Sequence, residues 1–471
     1  MRRRRLLASL VLASFAWIVG CSGTGQSSSS GGGGTAPFSI TLKDNPPANV
    51  TLLSFEVTIT GAVLRSATGK PDVSLISTPI KIEVEQLQVG SAFLVTFNVP
   101  ADTYKDILIS FASPEITFKN DTGATFLRCA AGRVCELQPA VAASVPFSGP
   151  PFPLTITPNT PSGLLVDVNL NNIISNTLAV DFNAAGGFTI TQLPLPGTPA
   201  GELEELEELT GVVANKDSIN NQFTLQTTHG NFLVQVNSST KFDDFASCAA
   251  NNFTCVQNGQ VVEVDLALMG AGSFLAKKIE LEDTVVDDEL EGIVFSVTSS
   301  TQFQIVVVDE LRNVAGVNLG NPITVNLATS TSFQVDANGL TIPAGLLNGF
   351  QGATDTSQLL PGQRVEVRVR SGSLVAGPPI TVSTDRVILR GSRLTATVAS
   401  VIPPNFTLNP LSSLFTSAGI TQIQVQTSLQ TQFKNVANVA SLASGNIVSV
   451  QGPLFKTSTD PILVAEKVLK R

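Results

Sequence analysis

The sequence predicts an all-β protein in which an N-terminal antiparallel β-sandwich is followed by three small five-stranded β-barrels. Three observations carry that expectation. Apolar residues make up 43% of the 471-residue chain and charged ones only 14%, with Thr, Ser, Asn, Gln and Val abundant, a balance that suits pleated, half-buried surfaces. The first part of the chain is a succession of short alternating runs broken by Gly, Pro, Asn and Asp. From Leu209 onward one pattern recurs three times. At about 150 residues per domain, the length alone calls for several cores.

In chain order, Arg2 to Arg5 form a cationic start and Leu6 to Val19 an apolar run, shorter than the roughly 20 residues of a resident spanning helix. Residues 1–20 are therefore expected to be an export signal. Ile18-Val19-Gly20-Cys21 resembles the lipobox of bacterial lipoproteins, which implies that Cys21 is the lipidation site and that the chain is membrane-tethered. Ser22 in place of an acidic residue implies sorting to the outer membrane, facing periplasm or cell exterior. Ordinary secretion and an uncleaved anchor are the alternatives. Residues 21–36 are a Ser/Gly-rich tether, a flexible coil reaching roughly 5 Å times the square root of its length. No strand precedes its glycines and no Lys-Ser/Thr pair follows them, so it is not a phosphate loop. Loss of Arg2 to Arg5 with the signal takes the net charge from −9 to −13, which argues against nucleic acid as a partner.

Residues 37–196 read as the sandwich. Strands are expected at Phe38–Leu42, Phe55–Thr60, Ile80–Val84, Phe93–Val99, Ile107–Phe111, Leu154–Thr157, Leu164–Leu170 and Leu178–Phe182. The Ser39-to-Pro46 strand and turn, Val57-Thr58-Ile59, the Val99-Pro100-Ala101-Asp102-Thr103-Tyr104 corner and Val166-Asp167-Val168-Asn169-Leu170 resemble a bacterial lipoprotein family, domain of unknown function 4382. Asp102 stands where that family has glycine. Tyr104, the only tyrosine, is read as a packed residue with its hydroxyl bonded locally.

Besides Cys21 the cysteines form two local pairs, Cys129 with Cys135 and Cys248 with Cys255. In an exported chain these read as two disulfides, each worth about 2 to 2.5 kcal/mol through loop closure. A metal site is the rival reading, but the single histidine and the absence of tight Cys-x-x-Cys spacing leave too few ligands. Residues 197–208, with Glu202, Glu204, Glu205, Glu207 and Glu208, read as an acidic linker. Calcium is the sharper alternative there, although the linker lacks the Asp/Asn alternation and turn glycine of a dedicated site, and calcium is likewise the alternative at Asp283, Asp287, Asp288, Glu289 and Glu291.

The repeats occupy residues 209–283, 289–390 and 391–471. Leu209-Thr210-Gly211-Val212-Val213, Leu290-Glu291-Gly292-Ile293-Val294 and Leu394-Thr395-Ala396-Thr397-Val398 open them. Phenylalanine strands follow at Phe223, Phe303 and Phe406, then strands ending in Thr240-x-Phe242, Thr331-x-Phe333 and Thr431-x-Phe433. Glycine-led strands begin at Gly259, Gly362 and Gly445, and the units close on Ala276–Ile279, Thr384–Val387 and Ala465–Val468. Five strands with a variable insert between the third and fourth is the order of an OB-like barrel. The insert of the third unit, Val436 to Leu442, is expected to be short and helical. The units resemble a second bacterial family, domain of unknown function 5666. Neither family implies a reaction or a cofactor.

Catalytic chemistry finds little support. His229, the only imidazole, lies before Gly230 at a hairpin tip, no Gly-x-Ser-x-Gly elbow exists, and the acidic residues sit mainly in linkers rather than at strand ends. A transmembrane barrel lacks its aromatic girdles. Trp17, the only tryptophan, belongs to the signal, so a sugar platform would fall to Phe residues that read as core. The sequence thus points to a non-enzymatic, lipid-anchored envelope protein with a binding or scaffolding role toward envelope proteins. A glycan- or small-ligand-binding module is the alternative.

Overall fold

A computed structural model describes residues 50–76, 79–84, 99–157, 162–194, 209–227, 230–243, 245, 248–268, 274–283, 288–310 and 314–471. The expected signal, Cys21, the tether, the strand Phe38–Leu42, residues 93–98, the acidic linker and His229 lie outside them. All described residues belong to one compact unit, Thr41–Arg471. The fold is all-β, and no helix among the described residues is long and apolar enough to cross a membrane.

Two long strands, Val50–Ser66 and Asp102–Asn120, form the spine of the N-terminal part and pair antiparallel along nearly their whole length. Register shifts at four places bend this ribbon. Because both strands outrun their neighbours, shorter ones line up along the outer edges. Val73–Ile76 and Ile80–Glu83 flank the first, and Val134–Leu137, Ala142–Phe147 and Leu154–Ile156 flank the second. The antiparallel hairpin Ser162–Val168/Phe188–Pro194 forms a second sheet, and Phe182 and Phe188 stack on Phe111 of the first at 5.0 and 4.9 Å between ring centroids. Tyr104 is buried and its hydroxyl donates to the Pro100 carbonyl at 2.9 Å, the local bond expected of it.

One expected strand is absent. Leu178–Phe182 is irregular: a helical turn at Leu170–Ile173 precedes it, Leu178 has φ +57°, and Val180 makes only an isolated bridge to Ile174. Its alternating apolar side chains are nonetheless buried in the core, so burial produced the period-2 pattern without a ladder. Both expected disulfides, Cys129–Cys135 and Cys248–Cys255, are formed.

The first barrel consists of Leu209–Asp217, Gln222–Thr227, Gly230–Gln235, Val261–Leu268 and Phe274–Asp283. Its first strand pairs with the second and fourth, and the ring closes where the third runs parallel to the fifth at Val234↔Phe274. The second barrel repeats this with Glu289–Ser299, Gln302–Glu310, Pro322–Val335, Arg364–Val369 and the first half of Ile380–Ile402, closing parallel at Ile323↔Ile380. The third uses the second half of Ile380–Ile402, Asn405–Leu408, Ile423–Gln426, Ile447–Phe455 and the pair Ile462–Val464/Lys467–Lys470, closing at Gln424↔Ile462. Strand order 1-2-3-5-4 with a parallel 3–5 closure is that of an OB-like barrel.

The recurring residues are the fastenings of these rings. The threonine of each Thr-x-Phe pair donates to a carbonyl of the closing segment: Thr240 to Ala276 at 2.7 Å, Thr331 to Thr384 at 3.0 Å and Thr431 to Ala465 at 2.7 Å. Gly259, Gly362 and Gly445 have φ of +90°, +90° and +88°, and their N–H groups donate to Val213, Val294 and Val398 of the opening strands. This is glycine at a bulge, where a Cβ is disfavoured. The residue after each glycine accepts from the chain three positions back through its side chain: Gln260 from Gln257, Gln363 from Leu360 and Asn446 from Ala443. The inserts also share a 3-10 turn, at Phe253–Cys255, Thr356–Gln358 and Val439–Ser441. Val436 to Leu442 is thus short and helical as expected, its helix being the single 3-10 turn Val439–Ser441.

The barrels are joined in two different ways. Strand Ile380–Ile402 is 23 residues long and changes partners between Arg390, which pairs with the second barrel, and Gly391, which pairs with the third. Phe455 and Val464 of the third barrel pack into the core of the second, and Leu53, Phe295, Val306 and Leu414 form a cluster linking the N-terminal sheet to both. Among the described residues, the core of the first barrel contains only its own side chains.

Candidate functional site

Among the described residues, charged and polar side chains join the first barrel to the second. Arg390, the last residue of the shared strand to pair with the second barrel, is buried and lies among four carboxylates. Its guanidinium donates to Glu366 at 2.6 Å and Asp336 at 2.6 Å within the second barrel, and reaches across to Glu282 of the first at 2.8 Å. Glu263 of the first barrel stands 3.8 Å away. The planar, five-donor head of arginine suits several acceptors in one plane, which a lysine could not serve. Beside it, Lys278 pairs with Glu280 on its own strand and donates to Asn338 of the second barrel at 2.9 Å, and Asn338 donates to Glu466 of the third at 2.8 Å. Within the second barrel, Arg386 pairs with Glu289.

Acids outnumber bases here, and the ionisation shows it. Burial pushes the Glu280 carboxyl up to about 7 despite Lys278, with Asp336 and Glu282 adding to the rise. Glu366 is raised by burial too, against the pull of Arg390. Burial opposes the charge on Lys278 and Arg390, yet the surrounding carboxylates hold both well above their usual values. A second buried carboxyl lies where the N-terminal sheet meets the second barrel. Glu56, paired with Lys81, is pushed up to about 7 by burial and rests against Gly320, whose carbonyl accepts from Thr117 at 2.7 Å. Gly320, at φ +74°, leaves the room that this carboxyl occupies.

Carboxylate oxygens of Glu263, Glu282 and Asp336 lie within 4.8 Å of one another, a spacing that could hold a metal ion. The guanidinium of Arg390 already supplies the cation between them. Of the acids singled out for calcium, Glu289 pairs with Arg386 and Glu291 with Arg364. Asp287 and residues 202–208 lie outside the described residues, as does the side chain of Asp283.

The expectation that acidic residues sit mainly in linkers is corrected: Glu263, Glu280, Glu282, Glu289 and Glu366 all lie within strands. The signal available in the sequence was the interleaving of charge with apolar residues in Arg364-Val365-Glu366-Val367-Arg368 and in Val261–Asp265. Alternation marks one face as polar without saying that another barrel covers it.

A family model, domain of unknown function (DUF5666), matches residues 210–280, which is the first barrel. No curated protein matches the chain. Among solved structures, drosophila Unr CSD456 is similar at 11% identity over 56% of this chain and 97% of that one, with a TM-score of 0.13. A multidomain protein with nucleic acid binding domains from Streptococcus pneumoniae TIGR4 is similar at 8% identity over 55% of this chain and 73% of that one, with a TM-score of 0.11.

Proposed function

We propose that the chain is a lipid-anchored protein of the outer membrane, tethered through Cys21, whose barrels bind or space envelope proteins without catalysis. The observation that carries this reading is the strand Ile380–Ile402, which builds two barrels into one body and so fixes the spacing of the loops they present. OB-like barrels engage ligands chiefly through the loop between strands one and two and that between four and five. Those loops carry exposed aliphatic side chains here: Ile219 in the one-two loop of the first barrel, Val375 in the four-five loop of the second and Ile402 where the one-two loop of the third begins. A sugar stacks on aromatic faces, whereas the large exposed apolar residues among those described are all aliphatic, which favours a protein partner over a sugar. The second and third barrels, like the first, are read as members of the 5666 family, and the N-terminal sheet as a member of the 4382 family.

Metabolic labelling with an alkynyl fatty acid tests the anchor. Wild type is expected to take up label and Cys21→Ser to lose it, and an unlabelled wild type refutes the anchoring. For the role, the mature chain immobilised through its N-terminus is expected to retain a defined envelope protein, and retention is expected to fall with Ile219→Ser and Ile402→Ser. Saturable binding on a glycan array, with no protein retained, would favour the glycan alternative instead.

A further inference from the structure

Carboxylates crowd the N-terminal sheet where it meets the second barrel. Glu83, Glu56 and Glu115 stand directly opposite one another on three neighbouring strands, and like charges so placed destabilise a sheet. Glu56 and Glu83 are buried. One row along, Ser54 faces Thr117 and Thr117 faces Glu136. Lys81 answers part of this charge: its ammonium pairs with Oε2 of Glu56 and, at 3.0 Å, with Oε2 of Glu115. Lys119, further along the strand of Thr117, is taken by Asp121 at 3.0 Å. A single ammonium among Glu56, Glu83, Glu115 and Glu136 leaves the seam negative.

Lys81 meets only one oxygen of Glu56. The other, Oε1, faces the second barrel: a Cβ on Gly320 would meet it first, and would lie 3.3 Å from Oγ of Ser54. Ser54 is 1% exposed, and among the described residues neither its Oγ nor either Glu56 oxygen has a hydrogen-bond partner. Buried oxygens in that state are uncommon, because nothing offsets their desolvation. More oxygens border the same place. The Gly320 carbonyl accepts from Thr117 at 2.7 Å, and the exposed Glu136 accepts from Asn321, next to Gly320, at 2.7 Å.

We propose that a calcium ion binds in this seam, held by Oε1 of Glu56 and Oγ of Ser54, with Glu136 as the carboxylate at the solvent end. Calcium takes hard oxygen ligands and waters in flexible geometry, which suits donors drawn from separate strands, whereas magnesium demands a near-ideal octahedron. Its double charge answers the surplus that Lys81 leaves. A buried water could bond Ser54 and Glu56 but would bring no charge to the opposed carboxylates. The arginine-filled cluster between the first two barrels differs in this respect, because there the guanidinium itself donates to Glu366, Asp336 and Glu282. Since Gly320 closes over the site from the second barrel, the bound ion fastens the N-terminal sheet to that barrel.

The test uses the full mature chain with Cys21→Ser, stripped of metal by a chelator, and calcium chloride alone as the probe. Isothermal titration is expected to show saturable binding with a Kd of about 10⁻⁴ to 10⁻³ M, the range of extracellular calcium modules. At about 10 mM calcium the folded-to-unfolded ratio, read by urea denaturation, is expected to rise about 10- to 100-fold. Sodium chloride at equal ionic strength is the control, since screening of surplus acids also stabilises. Glu136→Gln, at an exposed position, is expected to weaken binding, and Ser54→Ala, which removes only the buried hydroxyl, to weaken it further. Both leave residues 202–208 and the acids around Arg390 untouched, so a calcium response unchanged in the two variants places the ion elsewhere and overturns the proposal. So does an absence of binding to the unsubstituted seam, or a stabilisation that sodium chloride reproduces. The unsubstituted seam and Glu136→Gln decide the matter even if Ser54→Ala folds poorly.

Discussion

Three equivalent glycines allow the repeat to be tested against itself. Gly259, Gly362 and Gly445 share a φ near +90° and the same hydrogen bond to the opening strand. Alanine at Gly259 or Gly445 would find nothing within 4 Å, so only the backbone term remains, about 1 to 2 kcal/mol for a left-handed L-residue. At Gly362 the added methyl would overlap the ring of Phe415, which the short helix Ser413–Thr416 of the third barrel presses onto this turn. Overpacking of that kind adds about 1 to 3 kcal/mol, so Gly362→Ala is expected to cost about 2 to 5 kcal/mol. Calorimetry of the mature chain reads each loss, and a double-mutant cycle with Phe415→Ala isolates the clash. Phe415→Ala should be less damaging in the Gly362→Ala background, with a coupling of about 1 to 3 kcal/mol. Equal losses at all three glycines, or no coupling with Phe415, would show that the two barrels do not meet at this turn.

Three further outcomes follow from the buried polar groups. Arg390→Ala strands Glu366 and its neighbours without a counter-charge and is expected to cost about 3 to 5 kcal/mol in urea denaturation at neutral pH. Part of that loss should return on acidification, because burial makes Glu366 take up a proton more readily than an ordinary carboxylate, and a loss independent of pH would contradict an electrostatic joint. Thr431→Val leaves the Ala465 carbonyl without its buried donor and should lower stability by about 1 to 3 kcal/mol, whereas no change would deny the closure bond its role. Glu56 titrates near 7 in the fold against an ordinary 4.5, so its proton is held more tightly when folded. Its contribution is full at acid pH and lost as pH rises through that window. Stability of Glu56→Gln should therefore vary less between about pH 5 and about pH 7 than that of wild type, and identical slopes would place the titration elsewhere.

The barrels were legible because their signals are local. Thr240, Thr331 and Thr431, or Gly259, Gly362 and Gly445, recur at fixed places in the strand order, and each makes the same bond in its own ring. The opening pentapeptides show where repetition can relax. A Cβ on Gly211 or Gly292 would lie 2.6 or 2.7 Å from a carbonyl of the second strand. In the third barrel the ladder to the second strand begins only at Val398↔Leu408, and Ala396 is tolerated beneath the uncovered stretch. The candidate site was not legible for the opposite reason. Arg390 and Glu282 are 108 positions apart, and in sequence each is one polar residue on an alternating strand. Leu178–Phe182 misled in the same way, because period-2 burial reports the side chains and not the hydrogen bonds of the backbone.

The uninterrupted strand Ile380–Ile402 also restricts which chain lengths are viable. Adding or deleting one residue near Arg390 or Gly391 would turn every later side chain of that strand to the opposite face, placing Leu394, Ala396 and Val398 outside and their polar neighbours inside. Insertions that a loop absorbs would here dismantle the third barrel while the second kept its ring. The spacing between these two barrels can therefore change only by replacing a whole module, not by gradual drift in length.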